Sequence, residues 1–216
     1  MATSERPGIP RRAAAKKTNM TRAGGKPPST RRRARMVFKG KLIAVRLVPV
    51  RRPDGTRTEY EIVLHPDAVA IVAVRYEPSR ERTGPEPLIA FVRLNRPAIG
   101  RESLEIPAGL VDPDERDDHQ HAAARELREE TGYVAAKLSQ LTCVYSSAGF
   151  TDESITIYLA QGLERAPGNP PPDPHEIVQL EWIPLGAAMN LVRDGTINDS
   201  KTVIGLWLAR DVLHQE

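Results

Sequence analysis

The chain has 216 residues, of which 31 are Lys or Arg and 28 are Asp or Glu, and its formal net charge of +3 is unevenly spread. Residues 1–35 hold eleven bases against one acid, so the rest of the chain, with 20 bases and 27 acids, is an acidic body. Such a body argues against general coating of nucleic acid by the folded part and fits a protein that recruits cations.

No apolar run reaches the ~20 residues of a membrane span, and the start of the chain leads us to expect no secretory signal and no membrane partner. The single cysteine, Cys143, excludes an internal disulfide and suits a reducing compartment such as the cytoplasm. It reads as a small apolar strand residue.

Residues 1–35 lack apolar periodicity and read as a disordered tail. Three roles compete for it: a solvated arm, a weak electrostatic contact to nucleic acid, and an organelle-targeting peptide. From Met36 the pattern turns to short β-like runs. Leu42–Val50 and Thr58–Leu64 around Pro53-Asp54-Gly55 predict a hairpin. Ala68–Val74 (AVAIVAV) is nearly all apolar, as a central strand covered on both faces would be. Further strands are expected at Leu88–Leu94, Leu104–Ile106, Leu138–Tyr145, Ile155–Ala160 and Ile177–Ile183. A helix is expected from about Asp118 to Thr131, stopped by Gly132, and two more at Leu185–Arg193 and Asp199–Leu213. Five prolines between Pro167 and Pro174 predict an extended loop. Trp182 and Trp207 fall within apolar periodicity and read as core.

The densest chemical signal is RELREETGY, Arg125–Tyr133. On a helix, Glu126, Glu129 and Glu130 lie three and four residues apart and share one face. Like charges so spaced cost ~0.2–0.5 kcal/mol per pair and here sit at the wrong end of the macrodipole. Two readings follow: a solvated face partly neutralised by Arg125 and Arg128, or a set of oxygen ligands for Mg²⁺ or Mn²⁺.

With Gly109 upstream in EIPAGLVDPDE, the motif resembles the Nudix box, G-x5-E-x7-R-E-U-x-E-E-x-G-U, where U is bulky and apolar. Gly109, Glu115, Arg125, Glu126, Leu127, Glu129, Glu130, Gly132 and Tyr133 fill it. Nine residues, rather than seven, separate Glu115 from Arg125, so either Glu115 or Asp117 takes the place of the first acid. Over residues 36–213 the chain resembles the ADP-ribose pyrophosphatase branch of that superfamily. The likeness rests on Arg96, Gly100-Arg101, Glu105-Ile106-Pro107-Ala108-Gly109 and Gly149-Phe150-Thr151-Asp152-Glu153. Ala148 stands where the branch usually has proline.

The resemblance implies an α/β fold, an α/β/α sandwich with a mixed central sheet. It would comprise the basic tail (1–35), an N-terminal β-hairpin region (36–66) and a hydrolase domain (67–216). It implies metal-dependent cleavage of ADP-ribose, or a related nucleoside diphosphate sugar, to AMP and ribose 5-phosphate. Relatives that swap the hairpin imply a homodimer. Glu126 and Glu130 would be the principal metal ligands, with the catalytic Glu129 joining as a second metal loads and the Ala108 carbonyl completing the oxygen set. Gly109 is expected to let that carbonyl turn inward. The general base would be Glu176, with His175 as the alternative and Glu181 disfavoured by its place in a strand. Arg96 would contact phosphate unless it forms only a surface ion pair, and Glu105 and Leu110 would add substrate contacts. Tyr60 and Glu61 would either meet the nucleobase or serve cross-strand packing. Competing readings are another nucleoside diphosphate substrate and a module that binds ADP-ribose without cleaving it.

Overall fold

The computed structural model describes residues 34–76, 86–168 and 179–215. Its centre is β4 (Ala68–Tyr76). Because alternate residues of a strand point to opposite faces, Val69, Ile71 and Ala73 enter one core while Ala70, Val72 and Val74 enter another. Both sets are apolar, which is why the run shows no alternation.

One edge of β4 pairs in parallel with β9 (Ser154–Arg165), from Ala68↔Ile155 to Ala73↔Ala160. The other edge is shared. Its end, Val74–Tyr76, pairs antiparallel with β5 (Pro87–Arg96), and its start, Ala68–Ala70, pairs with the short β7 (Ala108–Leu110). Strand β5 leaves β4 and continues against β6 (Arg101–Glu105), with β10 (Gln179–Pro184) on its far side. β8 (Tyr133–Tyr145) closes the opposite edge against β9, completing a mixed seven-stranded sheet.

Helix α1 (His119–Thr131) covers one face through Ala122, Ala123 and Leu127. Helices α2 (Leu185–Arg193) and α3 (Ser200–Leu213) cover the other through Leu185, Ala188, Met189, Leu206 and Ala209. This is the expected α/β/α arrangement.

A second sheet holds β1 (Arg35–Lys39), β2 (Ala44–Arg51) and β3 (Arg57–Leu64). The expected hairpin is present, and Asp54 Oδ1 secures its turn by accepting from Thr56 N and Oγ1 at 2.9 and 2.7 Å. It is extended by β1, which begins inside the segment read as tail; residues 1–33 lie outside the described residues. Val63 N donates to Phe150 O at 2.7 Å and Asp152 N to Val63 O at 3.3 Å, so the Gly149–Glu153 segment joins this sheet to the body.

Several expectations need correction. Trp207 is 39 % exposed, stacked beneath the Arg210 guanidinium at 4.1 Å, and is not core. Trp182 is half-buried, edge-on to Tyr133 at 5.4 Å. Leu42 precedes its strand and is exposed, and Ile106 follows β6. Among the described residues, no helix is long and apolar enough to cross a membrane.

Candidate active site

The segment Pro107-Ala108-Gly109-Leu110 is pinned along β4. Ile71 N donates to Pro107 O at 2.8 Å and Val111 N to Asp67 O at 2.9 Å, on either side of the β7 pairing. Helix α1 then lies across this strand. Asp118 caps its start by accepting from His121 N at 3.0 Å, and Gly132, at φ 72°, ends it in the left-handed conformation that glycine adopts without strain.

This crossing presses the Glu126 carboxylate onto the backbone of Gly109. A methyl group there would stand 2.0 Å from Glu126 Cδ. Gly109 is not among the positive-φ glycines, and the need for glycine that the structure shows is the close approach of Glu126. One turn on, Glu130 Oε2 accepts from Ala108 N at 2.9 Å. Two carboxylates of α1 thus converge on a two-residue stretch of strand. Glu129 is 54 % exposed and accepts from Arg125 Nη1 at 3.1 Å.

Arg125 is the hub beneath the cluster. Its Nε and Nη2 donate to the buried Glu115 at 3.2 and 2.8 Å, Nη1 to Glu126 at 2.5 Å, and Nη2 also to Leu110 O at 3.0 Å. Glu115 lies 2.8 Å from His121 Nδ1 as well, and its Oε2 accepts from Asp112 N at 3.2 Å. Hydrogen bonds from Arg125, aided by those from His121 and Asp112 N, outweigh desolvation and hold the Glu115 carboxyl at about 2. Of the two acids left open by the sequence, Glu115 therefore makes the ion pair, while Asp117 is exposed. The two extra residues are absorbed by successive turns, Glu115 N to Asp112 O at 3.0 Å and Asp118 N to Glu115 O at 2.8 Å.

A second buried ionic group lies on β6 and α3. Glu105, 3 % exposed, receives both ends of the Arg96 fork, Nε to Oε1 at 2.8 Å and Nη2 to Oε2 at 2.7 Å. Lys201 Nζ also contacts Glu105 Oε2 and lies 3.0 Å from Asp199 Oδ2. Burial alone would raise the Glu105 carboxyl, but the Arg96 hydrogen bonds and the Lys201 charge bring it to about 2. Arg96 is raised chiefly by its hydrogen bonds to Glu105, with smaller contributions from the charges of Asp199 and Glu130. Its outer side is 43 % exposed, so the pair has one buried and one solvent-facing end.

The sequence reading missed Lys201, Asp199 and Thr202. A usable signal existed: a lysine in the first turn of a helix meets the positive end of the macrodipole and calls for an acidic partner. Other predicted residues lie elsewhere. Tyr60 and Glu61 are exposed on β3 in the three-stranded sheet, and Leu110 is 37 % exposed on β7. Glu181 pairs with Arg93 at 2.8 Å within β10. Glu176 and His175 fall outside the described residues.

Among the described residues, no three His, Cys, Asp or Glu side chains are gathered as a metal site. The donor types nevertheless suit a hard divalent cation: three carboxylates on one helical face beside the half-buried Ala108-Gly109 backbone, all oxygen. Glu129 accepts from Arg125 and Glu130 from the Ala108 amide.

The NUDIX domain model matches residues 64–204. An ADP-ribose pyrophosphatase of Bacillus subtilis (strain 168) is 35 % identical over 170 residues, covering 79 % of this chain and 86 % of that protein. An ADP-ribose pyrophosphatase of Mycobacterium tuberculosis is 37 % identical over 168 residues, 77 % of this chain and 76 % of that one. A methanol dehydrogenase activator of Bacillus methanolicus is 34 % identical over 170 residues, with coverage of 79 % and 86 %. A crystal structure described as an ADP compounds hydrolase superposes with a TM-score of 0.69 at 25 % identity, over 84 % of this chain and 92 % of that one. With its box assembled around Arg125 on the expected sandwich, the chain belongs to the NUDIX domain family and is a Nudix hydrolase.

Proposed function

We propose that this hydrolase cleaves the pyrophosphate bond of ADP-ribose, giving AMP and ribose 5-phosphate, with Mg²⁺ or Mn²⁺. The observation that carries the reading is the convergence of Glu126 and Glu130 on Ala108-Gly109, just downstream of Glu105, whose carboxylate holds the Arg96 fork. Two similar proteins bear the name ADP-ribose pyrophosphatase, which supports the choice of substrate.

Glu126, Glu130 and Glu129 hold the cation, with the Ala108 carbonyl as a further oxygen ligand. When bound, a divalent cation neutralises the diphosphate and acidifies water. Arg96 offers its exposed N–H groups to phosphate oxygens, oriented by Glu105. Leu110, 37 % exposed on β7, adds a substrate contact. Glu176 removes the proton of the attacking water as it adds to phosphorus, with His175 as the alternative base. Tyr60 and Glu61, both exposed on β3, receive the nucleobase across a homodimer. The body from residue 67 carries the chemistry, the 36–66 region supplies the dimer contact, and the basic tail makes at most salt-sensitive contacts to nucleic acid. The free thiol of Cys143 suits the cytoplasm.

Another nucleoside diphosphate substrate is the second reading. Ala148 in the place of the usual proline favours it, as does a Streptomyces rubellomurinus relative, 34 % identical, named for hydrolysis of a CMP-linked phosphonate. Incubation with ADP-ribose and Mg²⁺ should release AMP, and Glu130→Gln should abolish the release. Cleavage of other diphosphates but not ADP-ribose favours the second reading, and no product from any diphosphate sinks both.

A further inference from the structure

Lys201 is a costly residue to place where it is. It occupies the first turn of α3, where the helix dipole opposes a cation, and it is only 9 % exposed, where an unpaired ammonium would be strongly unfavourable. Two carboxylates compensate, Glu105 on β6 and Asp199 at the helix cap. Asp199 Oδ2 also accepts from Thr202 N and Oγ1 at 3.0 and 2.6 Å, and Thr202 Oγ1 in turn accepts from Ile106 N at 3.1 Å. The start of α3 is therefore fastened to the two residues that precede the Pro107-Ala108-Gly109 strand.

Thr202 and Asp199 already secure that docking through uncharged and capping contacts. What Lys201 adds is a third donor on the Glu105 carboxylate. The Arg96 fork uses both oxygens of Glu105, so the plane of that carboxylate sets the direction of the fork. A carboxylate held only by a 43 % exposed arginine can swing with it; the ammonium of Lys201 on Oε2 fixes the plane from the buried side. Lys201 also changes the local charge. Without Lys201, Arg96 would be outnumbered by the carboxylates of Glu105 and Asp199 and the group would repel an anion, whereas with Lys201 the two cations and two carboxylates balance.

We infer that Lys201 is a positioning residue for the substrate diphosphate, acting through Glu105 to aim the Arg96 guanidinium and offsetting the carboxylate charge that would otherwise repel the anion there. This rests on the proposed role of Arg96 at phosphate.

The test is a double-mutant cycle read by calorimetric binding of ADP, which does not depend on turnover. Arg96→Met should weaken ADP binding about tenfold or more, Lys201→Met by a similar factor, and the double variant no further than Arg96→Met alone. Lys201→Arg should recover part of the loss, because it restores the charge in a different shape. Lys201→Met that binds ADP as the wild type does, effects that multiply in the double variant, or a wild type with no saturable ADP binding would each overturn the inference. Should Lys201→Met fail to fold, Lys201→Arg against wild type decides: an unchanged ADP affinity there also overturns it. AMP release from ADP-ribose by the wild type is scored separately, so loss of the substrate assignment is distinguishable from loss of this role.

Discussion

The carboxylate of Glu126 occupies the space beside Gly109 that any side chain would need, with Cδ, Oε1 and Oε2 at 2.0, 2.2 and 2.3 Å from a methyl carbon placed there. Gly109→Ala must therefore displace Glu126 or β7. Since misplacing a reacting arrangement by about 1 Å costs on the order of 10²-fold, kcat for AMP release should fall by about that factor while far-UV circular dichroism stays native. A variant with wild-type turnover would show that the contact is not needed for catalysis.

Glu115 and Glu105 give a pH signature. Both carboxyls lie at about 2 in the folded chain against an ordinary 4.5, so each contributes stability that is present above about 4.5 and lost as pH falls toward 2. Glu115→Gln should lower urea stability by roughly 2–3 kcal/mol at pH 7, since it breaks a buried ion pair whose arginine retains other partners. The gap to wild type should close as pH falls through that window. Urea midpoints at pH 7, 4.5, 3 and 2 measure it.

Chelation of divalent cations should abolish AMP release without unfolding the chain, because α1 and β7 are already held by Arg125, Asp118 and the Ala108 amide. Activity assays before and after EDTA, with Mg²⁺ or Mn²⁺ restored, provide the check. Full activity in excess EDTA would remove the cation from the reaction.

Glu176→Gln should reduce kcat by about 10²–10⁴-fold, the usual range for a general base, with little change in Mg²⁺ dependence. If turnover at saturating Mg²⁺ is unaltered, His175→Gln becomes the variant to assay.

Gly205 separates packing from helix propensity. Alanine in a helix interior is favoured over glycine by about 1 kcal/mol. Here, however, the new methyl would meet Val72 Cγ2 at 2.9 Å and Ile106 Cδ1 at 3.1 Å, and overpacking costs roughly 1–3 kcal/mol. We expect Gly205→Ala to be net destabilising by about 1 kcal/mol in urea titration. A more stable variant would mean that β4 and the Ile106 side chain yield easily.

The elements most legible in the sequence were those with local punctuation. Helix α1 begins after Asp118 and ends at Gly132 because a carboxylate cap and a left-handed glycine act within a few residues. Strand β8 begins at Tyr133, well before Leu138, because pairing with β9 extends an edge strand through Val134, Ala136 and Lys137, which face solvent and carry no apolar pattern. Trp207 misled for a related reason: its apolar spacing is helical, but its ring is covered by Arg210 on the outer surface of α3. At the site, the face shared by Glu126 and Glu130 followed from spacing, whereas the nine-residue gap left Glu115 and Asp117 open until the Arg125 hydrogen bonds chose Glu115. The bond between Lys201 and Glu105 did not, because it joins residues 96 positions apart whose meeting depends on how α3 docks.

The forked edge of β4 bears on where the chain tolerates a change of length. Strand β5 meets β4 only at Val74–Tyr76, beside the connection from Tyr76 to Glu86, while the start of the same edge receives β7. Residues inserted in that connection would leave the fork and everything downstream in register. Between Arg96 and Gly109 there is no such slack, because β6 must bring Glu105 to Arg96 before β7 returns to β4. Length variation among natural homologues should therefore collect on the first side of the fork and be scarce on the second.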